Sequence, residues 1–156
     1  MGCTKRGVLE RLCHKSGVIG EFAMQKWIES IRSNPDFSTG KGTPESQIQQ
    51  AETALSVKFA PDYRQCLQEF GAISYRAHEL TGFSMDETLD VVAVTKRFRQ
   101  KHNVSEKLYV IEEAHIDGIV VWQDTNGAVY ETDPYSNPRK IAGSLYEYLF
   151  KNTEGL

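Results

Sequence analysis

Three features of the 156-residue sequence predict an α+β domain with N-terminal helices, a central, mostly antiparallel sheet and a C-terminal helix. Apolar residues recur at three- and four-residue steps through the first half of the chain. β-Branched and aromatic runs, interrupted by an Asn-Gly pair, fill the second half. A short helical run then closes the chain.

The first periodic segment begins at Met24, where Trp27, Ile28 and Ile31 share one helical face. Residues 1–23 are expected to be an N-terminal extension, disordered in the manner of a chain terminus, ahead of a single domain at 24–156. That extension lacks the continuous apolar run of a signal peptide or membrane span, so a cytoplasmic location is expected. "NPDFSTGKGTPES" is rich in Pro, Gly and hydroxyl residues without periodicity, which predicts a loop. Thr43 is placed to cap the next helix, with Pro44 at its first position and Glu45 in its first turn. Ile48, Ala51, Glu52 and Leu55 then trace one stripe. After a connector in which Val57 and Phe59 alternate with polar neighbours, a helix restarts at Pro61. Tyr63, Cys66, Leu67 and Phe70 form its apolar face, and Gly71 stands where a left-handed cap ends it.

Beyond Gly71 the period changes. "AISYRAHELTGFS" alternates, which predicts two short strands broken at Gly82. The stretch Leu89 to His102 is predicted helical, because Val91, Val94, Thr95 and Phe98 share a face and the basic residues fall opposite it or near the C-terminal end. Strands are predicted at Leu108 to Ile111, Ile119 to Gln123 and Val129 to Thr132, the last two joined by an Asp124-Thr125-Asn126-Gly127 hairpin turn. Ser144 is expected to cap a closing helix to Lys151, with Leu145, Tyr148 and Leu149 on its inner face.

Net charge is -3, so the basic footprint of a nucleic-acid binder is missing. The one dense basic run, "KRFRQKH", reads as a solvated final helical turn rather than a phosphate-binding platform around Phe98. The three cysteines, Cys3, Cys13 and Cys66, include no C-x-x-C pair and point to a reducing compartment. His14, His78, His102 and His115 are scattered singly, so no metal or other cofactor is expected. Cys66 lies within an apolar stripe and reads as a small hydrophobe, not a nucleophile. Glu112, Glu113, Asp117 and Asp124 match neither a calcium loop nor a glycosidase pair; Glu112 and Glu113 fall on opposite faces of a strand. They are expected to form a solvated acidic edge, and no catalytic residue is assigned.

In combination, "TPESQIQQAETALSVKFAPDYRQCLQEFGAIS", "HELTGFS", "LYVIEE", "IVVWQDTNGAVYETD" and "SLYEYLF" resemble the SUKH superfamily, which includes the Smi1/Knr4 domain. The resemblance runs from about Thr43 to Lys151. Residues 1–23 lie outside the pattern, and Ala72-Ile73 stands where family members often carry a further glycine. The resemblance implies a noncatalytic immunity protein that binds a cognate polymorphic or contact-dependent toxin, often a basic nuclease, and occludes its active site. The alternative it implies is a regulatory scaffold or adaptor that binds a host protein or peptide. No direct nucleic-acid or membrane partner is expected. Acidic residues suit a basic toxin, so the expected contact set is Asp86, Glu87, Asp90, Glu112, Glu113, Asp117 and Asp124, with Trp122 and Tyr135 as aromatic anchors. For Trp122 a place in the strand core is the stronger expectation.

Overall fold

A computed structural model describes residues 21–151 and shows a mixed α+β architecture with two antiparallel sheets. The first helix, α1, spans Glu21–Ser33, so its first turn precedes Met24; residues 1–20, with Cys3, Cys13 and His14, lie outside the described residues. Trp27, Ile28 and Ile31 are buried, as their spacing requires. β1 (Phe37–Thr39) follows, then α2 (Glu45–Leu55), α3 (Pro61–Phe70), β2 (Ile73–Tyr75) and β3 (His78–Glu79). The second half holds α4 (Val91–Lys101), β4 (Tyr109–Glu113), β5 (Val120–Gln123), β6 (Val129–Thr132), β7 (Arg139–Ala142) and α5 (Leu145–Lys151).

The expected loop after α1 contains a strand, and a further strand forms where the sequence predicted no element. Residues 37–39 pair antiparallel with β2, Phe37 opposite Tyr75 and Thr39 opposite Ile73, and the Phe37 and Tyr75 rings stack with centroids 4.2 Å apart. Strand β7 completes the second sheet, whose order is β4-β5-β6-β7. The capping of α2 also differs from expectation. Pro44 itself occupies the cap position, extended at φ -61° and ψ 146°, with no side-chain cap bond. Thr43 is turned inward, where its N–H donates to Leu67 O at 2.8 Å. Glu45 does occupy the first turn, and the Arg64 guanidinium clamps it, with Nη1 2.9 Å from Glu45 Oε2. Arg64, Gln68 and Gln49 together hold the Glu45 carboxyl down at about 2.

Helix α3 buries Tyr63, Cys66, Leu67 and Phe70 between α1 and α5. It stops at Gly71, whose φ of 69° and ψ of -56° form a γ-turn closed by a 2.7 Å bond from Ala72 N to Phe70 O, not a left-handed helical cap. The backbone is crowded there. A Cβ on Gly71 would lie 2.1 Å from Lys41 O, and one on Gly82 would lie 2.2 Å from Gly71 O. Three remote chain segments therefore cross at a distance only glycine permits.

The second sheet is covered on both faces. Tyr109, Ile111, Val121 and Val129 face the main core with α2, α3 and α5, while Val110, Val120 and Trp122 pack with Val94 and Phe98 of α4. Residues just past β3 cover the outer edge of β4: Thr81 donates to Ile111 O through its N–H and to Val110 O through its hydroxyl, both at 2.8 Å. The β5–β6 turn contains Thr125-Asn126-Gly127, with Gly127 at φ 97° and Asp124 N bonded to Ala128 O.

A buried polar network ties these layers together. Asp62 accepts from Tyr63 N (2.7 Å), Gln123 Nε2 (3.1 Å) and Leu145 N (2.9 Å). Tyr109 in turn donates to Gln123 Oε1 at 2.7 Å and accepts from Ala60 N at 2.8 Å. Burial pushes the Asp62 carboxyl above its ordinary value, and the three donors pull against that shift.

Candidate functional site

Strand β4 distributes its two glutamates through a bulge. Tyr109 pairs with Gln123 and Val110 with Trp122, but the register then skips Ile111, so Glu112 pairs with Val121 and Glu113 with Val120. The extra residue turns Glu112 toward the main core and Glu113 toward α4. The two do lie on opposite faces, as expected. The expected solvated acidic edge does not hold for Glu112, which is buried. Its carboxylate lies 2.9 Å from His78 Nδ1, accepts from Glu79 N at 2.6 Å, and takes the hydroxyl hydrogen of Tyr148. Burial and the neighbouring Glu112 charge push the Tyr148 phenol far up, which keeps it protonated as the donor. Glu112 therefore joins β3, β4 and α5, and it presents nothing to a partner.

Glu113 is half-buried, with Arg97 Nη2 at 2.9 Å from its Oε2 and His115 Nδ1 at 3.8 Å from its Oε1. Its charge is partly matched on the surface. Beyond it the chain turns sharply through residues 114–119, where His115, Asp117 and Gly118 all have positive φ of 56°, 53° and 69°. Two backbone bonds fix this turn, Ala114 N to Ile119 O at 3.1 Å and Ile119 N to Ile116 O at 2.9 Å. Asp117 is exposed on it, beside an exposed Ile116.

Tyr135 lies on the loop of residues 133–138, between β6 and β7, at the same end of the sheet, because Val120 at the start of β5 pairs with Thr132 at the end of β6. Contact between the loops is direct: a Cβ on Gly118 would come within 2.7 Å of Pro134 Cγ. Tyr135 is 97% exposed, and its N–H donates to Asp133 Oδ1 at 2.7 Å. That bond and the Ser136 contact hold the Asp133 carboxyl below its ordinary value.

The remaining expected contacts fall elsewhere. Trp122 is fully buried, and its Nε1 donates to Thr132 Oγ1 at 2.9 Å, so it is a core residue and no anchor. Asp124 organises its own turn, accepting from Asn126 N and Ala128 N through Oδ1 and from the Tyr130 hydroxyl through Oδ2. Asp90 caps α4 by accepting from Ala93 N at 3.1 Å. Asp86 folds the loop before it through Thr88 N and Oγ1. Glu87 is exposed on that loop, next to a fully exposed Met85. Of the expected set, the structure brings Glu113, Asp117 and Tyr135 to one end of the second sheet and keeps the Asp86–Asp90 loop as a separate feature.

Sequence reasoning missed Ile116 and Asp133 in this region. An isoleucine between a histidine and an aspartate, followed by glycine, was the available sign of an apolar side chain in a turn. The basic run is structural as well: Arg99 donates to Leu55 O, Glu106 O and Leu108 O, and Phe98 is buried beneath Arg97. Among the described residues, no group of three His, Cys, Asp or Glu side chains is placed to hold a metal ion, and no helix is long and apolar enough to cross a membrane.

A family model of the SUKH group, described as SMI1-KNR4 cell-wall, matches residues 24–152. Among curated proteins, none matches the chain.

Proposed function

This chain belongs to the SMI1-KNR4 family of the SUKH group, and from that premise we propose that it is a noncatalytic immunity protein that binds a cognate toxin and occludes its active site. The observation that carries the reading is the division of labour among the acidic and aromatic residues. Asp62 and Glu112 are spent inside, joining helices to the sheet, while Asp117 and Tyr135 stand exposed on two touching loops. A basic nuclease fits this arrangement as the toxin, since acidic loops steer a basic partner into encounter. The cytoplasm is where such a protein meets a toxin that has entered a cell.

The word cell-wall in the family description favours a second reading, a regulatory scaffold or adaptor that binds a host protein or peptide. One experiment separates the two. The product of the neighbouring gene is expressed with and without this chain, and growth and complex formation are measured. Rescue of growth with a stoichiometric complex is expected. Growth arrest that this chain leaves unrelieved, with no complex, overturns the immunity reading in favour of the scaffold.

A further inference from the structure

We propose that the paired loops at residues 114–119 and 133–138 form the docking surface, with Tyr135 and Ile116 inserting into an apolar pocket on a basic protein partner. The proposal rests on the immunity reading for the identity of that partner. Its own evidence is the placement of apolar area. Tyr135 is 97% exposed and Ile116 63%, on two loops that leave the same end of the sheet and touch at Gly118 and Pro134. Two large side chains left in water on touching loops place apolar area where a second surface can cover it. Tyrosine suits that task, because it supplies a large contact area for the loss of few rotamers and keeps a polar tip.

The surrounding charge selects the occupant. Asp117 and Asp133 flank the apolar pair, Asp133 feeling the charge of Arg139, while Glu113 and Glu131 pair with Arg97 and Arg139, so four carboxylates face two arginines here. The end of the sheet is therefore net acidic, and a second copy of this chain would bring like charges together. A basic partner removes that repulsion. Preorganisation adds to the fit: the left-handed backbone at His115 and Asp117 and the bonds within each loop fix the two loop backbones before any partner arrives.

The test measures binding of the product of the neighbouring gene to the full chain and to Tyr135→Ser, Ile116→Ser and Met85→Ser, with sedimentation of each free protein. Met85 is the control, an equally exposed apolar residue on the Asp86–Asp90 loop. Tyr135→Ser is expected to weaken binding by about thirtyfold or more and Ile116→Ser by about tenfold, with Met85→Ser unchanged. Wild-type binding that neither loop variant weakens overturns the surface alone, and a loss confined to Met85→Ser moves it to the other loop. A wild-type dimer abolished by Tyr135→Ser overturns the assigned occupant in favour of a second copy. A wild-type chain that does not bind overturns the immunity reading and the surface built on it together.

Discussion

The carboxylate of Asp62, at the start of α3, accepts the backbone N–H of Leu145, 83 residues later, at 2.9 Å. It thereby satisfies a buried donor at the start of α5 while also holding Gln123 of β5. Asp62→Ala would leave the Leu145 N–H without its partner in a dry interior. The expected loss is on the order of 2–4 kcal/mol, read as a lower midpoint in urea unfolding with an unchanged slope.

Leu67 is buried on the inner face of α3. Leu67→Ala removes three buried carbons and leaves a cavity, so a loss of about 2–5 kcal/mol is expected. A thermal midpoint equal to wild type would show that this face does not carry the core.

Gly71→Ala tests the crossing of segments at the end of α3. The new methyl would need a positive φ and would meet Lys41 O at 2.1 Å, a backbone atom that cannot swing aside. Strain and overpacking together are expected to cost roughly 3 kcal/mol or more, seen as a lowered unfolding midpoint or as insoluble expression.

Glu45 predicts a pH dependence. Its folded pKa is about 2 against 4.5 for the free side chain, because Arg64 and two glutamines bond the charged form. Below 4.5 the unfolded chain takes up a proton that the folded chain refuses, so this contribution is complete above 4.5 and is lost as pH falls toward 2. Glu45→Gln should therefore be less stable than wild type at neutral pH and match it near pH 2. Carboxyl NMR titration of the wild type gives the pKa directly.

Helix faces were legible because their burial obeys a local period: each residue placed inside α2, α3 and α5 is buried, as is the Val91, Val94, Thr95 and Phe98 stripe of α4. The short strands were not. β1 has three residues and only Phe37 packs against the core, while β7 opens with Arg139 and Lys140 exposed on the sheet edge, so neither carries an apolar alternation. The candidate site divides along the same line. Asp117 and Tyr135 looked accessible and are, whereas Glu112 looked accessible and is buried. Its fate is decided by one extra residue at Ile111 and by Tyr148, 36 positions away, neither of which leaves a mark on the neighbouring sequence.

The glycine crossing also has a consequence for divergence. Gly71 and Gly82 face backbone oxygens, so drift at these two positions is closed to every side chain, however the rest of the chain changes. Ile116 and Tyr135 project into water, and exchanging them costs folding little. Under the proposed docking surface, a lineage facing changing partners could rewrite what it recognises one loop residue at a time while inheriting an unaltered frame. Recognition and foldability would evolve as nearly separate traits.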